Sequence, residues 1–469
     1  MVVKQHLDIL KRGVSAWNQW RIDNPDVLPD LSKAQLQGAQ LKGAHLEGVH
    51  LMEALLEKAD LRGSYLVGAN LYGAHLERAD LYEAHLEEAT LYMASLKRAV
   101  LKGAHLEEAD LNGANLDEAD LNGAHLEKAK LKWAHMEVVN LYEAHLEGAD
   151  LHEASLERAD MRKASLKKAI LNRAHLERAH ISEAHLEEAD LRATHLEGAD
   201  LGAAHLEGAN LLEAHLEGTS LKGAFLEGKC MREGEEENPV MLIAADLRGA
   251  FFDSATNLES AKLGNEKYGF VSLADVRWEN ANLALIDWGQ ANMLGDEYRA
   301  RQMSKRNEAL ANKDEELNMY RIAVRANRQL AVVLRDQGLN EEASNFAYRA
   351  QKLQLIVLHR RKSYVSYLFS VFLDLLAGYG FRPRRSLMWY LVIIFGFAIA
   401  YYFFGHLPFL PDTLVFSVTS FHGRGFFPGL GDQASLHNPL VVLAALEAVI
   451  GLFIEISFIA TFTKRFFGN

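Results

Sequence analysis

Residues 101–130 read LKGAHLEEADLNGANLDEADLNGAHLEKAK, and leucine returns at every fifth position of this stretch. The same spacing runs from Leu31 to Met231, where 37 of the 41 fifth positions are leucine; the exceptions are Met136, Met161, Ile181 and Met231. Alanine fills 34 of the 40 positions that lie two residues before the next member of this series. A period of five matches neither the helical period of 3.6 nor the strand period of 2. The pattern therefore predicts an architecture of stacked repeats over residues 31–231, the repeat block.

The repeat block resembles the pentapeptide-repeat family, whose units follow the pattern A-(D/N)-L-x-x, as in Ala59-Asp60-Leu61-Arg62-Gly63. The resemblance implies a right-handed quadrilateral β-helix in which four units form one coil, with leucine and alanine pointing inward. Forty units would give about ten coils, or about 48 Å at a strand spacing of about 4.8 Å. We expect residues 1–30 to form a helix that caps the first coil, and residues 232–295 to form irregular terminal repeats.

The acidic excess of the chain is confined to this block. The chain has a formal net charge of −13, and residues 31–230 hold 21 Lys+Arg and 34 Asp+Glu, which is also −13. An acidic block argues against a nucleic-acid partner, because phosphate backbones bind basic surfaces. The family also includes acidic rods that imitate DNA, which makes a DNA-mimic inhibitor the weakest of the alternatives. A single cysteine excludes a disulfide framework.

Two columns of histidine follow if one coil contains 20 residues. Histidine occupies seven of the ten positions from 45 to 225 in steps of 20, and glutamate occupies eight of the ten positions two residues further on. The opposite column contains His75, His135, His175, His195 and His215. Such rows could bind divalent metal or sense pH, or they could be solvated polar ladders copied with the repeat. We favour the second interpretation, so no metal site and no cofactor is predicted.

Residues 296–363 lose the five-residue period and predict a helical hairpin that connects the repeats to the rest of the chain. The first helix should stop near Gln337-Gly338 and the second should start near Asn340. The segment resembles one tetratricopeptide-like hairpin, which is too short to form a binding solenoid of its own.

Residues 364–469 predict a membrane domain. Apolar stretches of spanning length cover residues 387–404 and 440–462. An interfacial helix is expected over residues 364–380, and a re-entrant segment over residues 411–430. Basic residues lie just outside the two spans, at Arg382, Arg384, Arg385, Lys464 and Arg465. By the positive-inside rule, both termini and the repeats are cytoplasmic, in a protein of the cell inner (plasma) membrane.

Two spans around a short helix and a glycine-rich turn resemble the two-transmembrane-helix pore domain of the potassium-channel superfamily. The resemblance implies a homo-oligomer, a tetramer, that conducts inorganic ions across the lipid bilayer. It places the filter at Phe421, His422, Gly423, Arg424 and Gly425. These residues depart from the T-V-G-Y-G pattern, so potassium selectivity is not implied. Arg424 in the lumen would favour anions, whereas Arg424 paired with Glu447 or Asp432 would brace the turn.

Glu447 and Glu455 lie eight residues apart in the second span, near one face of a helix. Charged residues inside a span are costly and mark an ion pathway or a pair. If both glutamates line the pore, they form acidic rings that favour cations, which is the interpretation we prefer. Alternatively, they pair with arginine or histidine and hold neighbouring subunits together.

The sequence contains no G-x-S-x-G, P-loop or H-E-x-x-H motif, so no enzyme is predicted. The leading hypothesis is an ion channel with a cytoplasmic repeat domain that senses a signal or recruits a protein partner. The alternative is a membrane-anchored interaction scaffold that does not conduct.

Overall fold

The computed structural model describes residues 4–226, 242–259, 261–265, 269–291, 293–306, 313–405, 411–423 and 439–466. The chain divides into two compact units. The first comprises Met1–Ala311 with Val333–Leu339, and the second comprises Asn312–Val332 with Asn340–Asn469.

Each five-residue unit within residues 31–225 makes one tight turn. In a representative unit, the N–H of Ala124 donates to the carbonyl of Leu121 at 3.0 Å. Gly123, inside this turn, has a φ of 62°, as the third residue of a type II turn requires. The N–H of Leu121 donates to the carbonyl of Asn140 at 2.7 Å. Turns therefore form within a coil, and the hydrogen bonds between them join neighbouring coils.

Parallel bridges join residues twenty positions apart, as between His105 and His125 and between His125 and His145. Four such columns of bridges start within the first coil, at Asp30, Gln35, Gln40 and His45. The coil therefore contains 20 residues and has four sides. Within residues 30–226, all of which the structure describes, the walls consist of single bridges and contain no β-strand. The bridges do not extend into longer strands, because a turn follows directly after each bridge residue and its leucine.

Leucine and alanine fill the interior of the coils. Every fifth residue from Leu31 to Leu226 is buried, including Met136, Met161 and Ile181. Burying a leucine side chain contributes about 1.5–3 kcal/mol relative to exposing it. Thr194, which replaces an alanine, is also buried, and its hydroxyl donates to the carbonyl of Leu171 at 2.9 Å. At this position a neighbouring coil supplies the hydrogen-bond partner that a buried hydroxyl group needs.

Two short helices cover the first coil, α1 (Lys4–Leu10) and α2 (Val14–Asp23). The sequence predicts one helix here, but Gly13 between them has a φ of 109° and interrupts the helix. Trp17 of α2 is fully buried, and its Nε1 donates to the carbonyl of His45 at 2.7 Å. The Nδ2 atom of Asn18 donates to the carbonyl of Gly43 at 2.9 Å. Side chains of α2 therefore satisfy carbonyl groups at the open end of the coils.

Irregular coils follow the regular block, and residues 227–241, which include the start of the predicted terminal repeats, lie outside the described residues. Bridges here join residues 26 positions apart, as between Asp246 and Ser272. The imperfect five-residue pattern of the sequence continues through nine positions here. Eight of them are buried, and Met293 is half-buried; the buried positions are Leu247, Phe252, Leu258, Leu263, Leu273, Trp278, Leu283 and Trp288. A short hairpin of β1 (Gly264–Asn265) and β2 (Gly269–Phe270) precedes two 3₁₀ turns, Leu283–Leu285 and Trp288–Gln290. Helix α3 (Gly295–Arg306) closes the segment.

The remaining helices are α4 (Lys313–Asp336), α5 (Asn340–Arg360), α6 (Tyr364–Ala377), α7 (Pro383–Gly405), α8 (Asp412–Phe421) and α9 (Pro439–Phe466). Helix α6 is fixed to α5 through Asp374, which accepts from Lys352 at 2.7 Å and from Tyr348 at 3.0 Å. Helices α7 and α9 contain apolar segments, Arg384–Phe404 and Leu440–Ile459, with mean hydropathies of 2.0 and 2.3. By length and composition both could span a membrane. Only 17% and 22% of these segments is buried within the chain, so most of their apolar surface needs another apolar environment.

Candidate functional site

Helix α8 is a short apolar helix that packs against both α7 and α9. Its ten residues extend about 15 Å, half the thickness of the bilayer core. The hydroxyl group of Ser417 donates to the carbonyl of Ile394 in α7 at 2.9 Å. Phe421, the last residue of α8, is buried in a cluster with Ile394 and Ile454 of α9. Helix α8 is therefore fixed between the two apolar helices by a hydrogen bond and by packing.

The carboxyl group of Glu447 joins three helices. Glu447 is fully buried in α9, and the hydroxyl group of Tyr401 in α7 donates to it at 2.7 Å. Its other oxygen contacts the hydroxyl group of Ser417 in α8. The hydroxyl group of Ser417 therefore lies between the carboxyl group of Glu447 and the carbonyl of Ile394. Glu447 is thus an internal hydrogen-bonding group of this chain.

The end of α8 contacts α9 a second time. The Nε2 atom of His422 lies 3.4 Å from a carboxylate oxygen of Glu455, and its Nδ1 lies 3.1 Å from the carbonyl of Val418. Both nitrogens face acceptors, so the pair is an ion pair when the imidazole is protonated. The two side chains are 39% and 35% exposed, in contrast to buried Glu447. Close approach is possible because a Cβ atom at Gly451 would overlap the carbonyl oxygen of Phe421.

The structure describes three of the five predicted filter residues and places Phe421 and His422 against α9. Phe421 is buried, His422 faces Glu455, and Gly423 has a φ of 65°. Arg424 and Gly425 lie outside the described residues, as does Asp432. Sequence reasoning missed Tyr401 and Ser417, which look like ordinary residues of an apolar helix until the fold places them beside Glu447.

The histidine columns of the repeat block form stacked rings. The imidazoles of His105 and His125 have centroids 4.9 Å apart and planes within 3° of parallel. The Nδ1 atom of His105 lies 3.1 Å from Glu107, and that of His125 lies 3.2 Å from Glu127. Ligand atoms from neighbouring coils lie within 4.8 Å of one another in several groups, such as Glu107, His125 and Glu127. The sequence signal for these groups is the triplet His-Leu-Glu repeated at intervals of 20.

A buried ionic cluster, which sequence reasoning did not find, joins α3 to the coils. Asp246 is 2% exposed, accepts a hydrogen bond from Arg248 at 2.7 Å and contacts Arg299 of α3. Burial alone would raise the pKa of Asp246, but the two guanidinium groups outweigh it and hold the pKa at about 2. Burial and the charge of Asp246 raise the pKa of Glu217 to about 7. Burial likewise raises the pKa of Asp296 to about 6.

Eight copies of the family model described as Pentapeptide repeats match this chain between residues 30 and 233. HetL, a pentapeptide repeat protein involved in heterocyst differentiation regulation from Nostoc sp. strain PCC 7120, is 30% identical, with 49% of this chain and 86% of HetL covered and a TM-score of 0.28. A trypsin-treated form of QnrB1, a plasmid-mediated fluoroquinolone resistance protein, is 16% identical, with 53% and 97% covered and a TM-score of 0.27. A pentapeptide repeat protein from the Arabidopsis thaliana thylakoid lumen is 25% identical, with 26% and 72% covered and a TM-score of 0.14. No curated protein matches the chain.

Proposed function

The chain belongs to the pentapeptide-repeat family, and on this premise we propose that it is a membrane-anchored repeat protein whose C-terminal unit is one subunit of an ion-conducting pore. In this proposal the repeat block is a right-handed quadrilateral β-helix in the cytoplasm, where it senses a signal or recruits a protein. Helices α7 and α9 cross the inner membrane with both chain termini in the cytoplasm. The pore is a homo-oligomer, a tetramer, and conducts inorganic ions.

The position of α8 carries this proposal. A ten-residue apolar helix cannot cross a bilayer, yet α8 is packed between two helices that are long enough to do so. A backbone turn with Gly423 at positive φ follows directly. Irregular backbone at membrane depth is tolerated where it is covered by protein or lines a water-filled path. A short helix followed by such a turn is therefore suited to present backbone carbonyls to ions.

The two intramembrane glutamates take different roles in this pore. Glu447 is buried and hydrogen-bonded inside the chain, so it holds α8 in place and does not face the ion path. Glu455 is partly exposed beside His422, at the end of α8 where the filter begins. We propose that the negative charge of Glu455 gives the pore its preference for cations. Positive charge on His422 and Arg424 would act against this preference.

Recording from the purified full-length chain in planar bilayers tests this proposal. We expect single-channel currents whose reversal potential in a salt gradient indicates cation preference. Glu455→Gln should shift the reversal potential toward zero. Glu447→Gln is the matched control and should leave the reversal potential unchanged, because the side chain of residue 447 is buried inside the subunit. Absence of current at every voltage and pH from correctly inserted oligomers would refute the proposal.

A non-conducting scaffold is the second candidate, and it is favoured by the completeness of the repeat interior. The fifth-position side chains from Leu31 to Leu226 fill the coils, so the block offers only its outer walls for recognition. In that case α7 and α9 serve as an anchor. Stable insertion with repeat-dependent partner binding and no current would favour this function over the pore.

A further inference from the structure

We propose that the histidine row His85, His105, His125 and His145 binds two late first-row divalent transition-metal ions of the Zn²⁺ class, each ion held by two neighbouring imidazoles, because each ring has a single Nε2 lone pair. The proposal concerns the repeat block alone and does not depend on the pore.

The four rings of the histidine row form a continuous stack. Successive centroids are 4.9, 4.9 and 4.7 Å apart, and the ring planes lie within 5° of parallel. The parallel bridges between His85, His105, His125 and His145 hold the four backbones in register. The stack is thus imposed by the coil and exists before any ion binds, which reduces the entropy lost on binding.

A glutamate two residues further on orients each of the first three rings. The Nδ1 atoms of His85, His105 and His125 lie 3.0, 3.1 and 3.2 Å from their glutamates. The carboxylate can only accept, so Nδ1 carries the proton and Nε2 keeps its lone pair. The same carboxylate–histidine arrangement orients ligands and raises their basicity in metal sites. Each ring therefore presents Nε2 as a donor atom ready for a metal ion.

Tilting of the rings completes a site. Zn–N bonds of about 2.0–2.1 Å in a tetrahedral site place two nitrogens about 3.4 Å apart. The centroids of His105 and His125 are 4.9 Å apart and their planes are nearly parallel, so the two rings must approach and tilt for their Nε2 lone pairs to converge on one ion. Their side chains, 33% exposed at His105 and 35% at His125, have room to tilt toward each other. Water or a carboxylate can fill the remaining positions, since catalytic and exchangeable zinc sites retain such ligands.

The local charge also favours a cation. The second carboxylate oxygens, Oε2, of Glu87, Glu107, Glu127 and Glu147 are buried and have no hydrogen-bond partner among the described residues. Their negative charge is therefore poorly screened by water and acts on the adjacent row. Imidazole ligands select Zn²⁺, Ni²⁺, Co²⁺ and Cu²⁺, whereas Mg²⁺ and Ca²⁺ prefer oxygen ligands.

Zinc titration of the full-length chain in detergent, followed by calorimetry, tests the proposal. His105→Asn leaves His85 without a neighbouring histidine but keeps the pair His125 and His145, so the number of bound ions should fall by one. His105→Asn with His145→Asn separates all remaining histidines of the row, and the number should fall by two. Asparagine is compatible with the fold, because Asn115 occupies an equivalent bridge position.

His75→Asn is the matched control. His75 has the same glutamate arrangement, 3.5 Å from Glu77, but its bridge neighbours are Leu55 and Ser95. This variant should bind as many ions as the unchanged chain. Cobalt substitution adds a spectroscopic readout, since tetrahedral coordination gives visible absorption that should decline in the same order across the variants. Equal stoichiometry in all variants, an equal loss in His75→Asn, or no saturable binding at micromolar zinc would overturn the proposal.

Discussion

Replacing Asp296 by asparagine should stabilise the terminal coils at alkaline pH. Asp296 lies in the first turn of α3 and is 3% exposed. One carboxylate oxygen accepts a hydrogen bond from the N–H of Leu273 at 2.7 Å, a bond that an asparagine carbonyl can also accept. Burial nevertheless disfavours the charged carboxylate and raises its pKa from 3.8 to about 6.

The sign and the size of the effect follow from this pKa. The folded state binds the proton of Asp296 more tightly than the unfolded state does, so its contribution is most favourable below about pH 4. That contribution is lost as the pH rises through about 6. A difference of about two units corresponds to about 3 kcal/mol. We therefore expect Asp296→Asn to stabilise this region by up to about 3 kcal/mol at pH 8 and to have little effect at pH 4.

Two neighbouring carboxyl groups do not obscure the comparison. The pKa of Asp246 is held at about 2, so the stability that it contributes is present above about pH 4 and is lost only as the pH falls toward 2. The pKa of Glu217 is raised to about 7, so its contribution to folding stability decreases as the pH rises, as that of Asp296 does. It is present in both proteins, and its contribution largely cancels in the difference.

Hydrogen exchange measured by mass spectrometry on the full-length chain resolves this region from the rest. Peptides within residues 269–306 should exchange more slowly in Asp296→Asn than in the unchanged chain at pH 8, and equally at low pH. Asp287→Asn is the control, because Asp287 also accepts a backbone N–H, from Gly289 at 3.0 Å, but is exposed. Faster exchange in Asp296→Asn at pH 8, or an equal effect of the control, would refute the reasoning.

Three further substitutions test the packing and capping of the fold. Leu126→Ala, at a fully buried position, should cost about 2–5 kcal/mol, seen as faster hydrogen exchange in the adjacent coils. Trp17→Phe removes the hydrogen bond to the carbonyl of His45 and should cost about 1 kcal/mol, with increased exchange confined to the first coil. Tyr401→Phe removes a donor to buried Glu447 and should cost about 1–3 kcal/mol, measured as a lower melting temperature in detergent. Unchanged values would contradict the assigned contact in each case.

Much of the repeat interior could be predicted from the five-residue spacing. The leucine at each fifth position and the small residue two before it must face the same side of each unit, and the structure buries both Leu126 and Ala124. The spacing did not indicate that single bridges would replace strands, since this depends on the turn at Gly123 and its equivalents. Two candidate spans were also visible in the hydropathy of the last residues, because length and apolar composition are local properties.

The sequence by itself determined which side chains fill the coils and which helices are apolar enough to enter a membrane. The first follows from the five-residue spacing and the second from the apolar composition of a short segment, and both are local properties of the chain. Only the tertiary structure decided that Glu447 bonds to Tyr401 and Ser417, which lie 46 and 30 residues away along the chain. The tertiary structure likewise decided that Arg299 reaches Asp246, 53 residues away. No local pattern encodes such contacts, since they depend on where irregular coils and packed helices bring distant polar groups together, and buried polar groups need those partners to be stable.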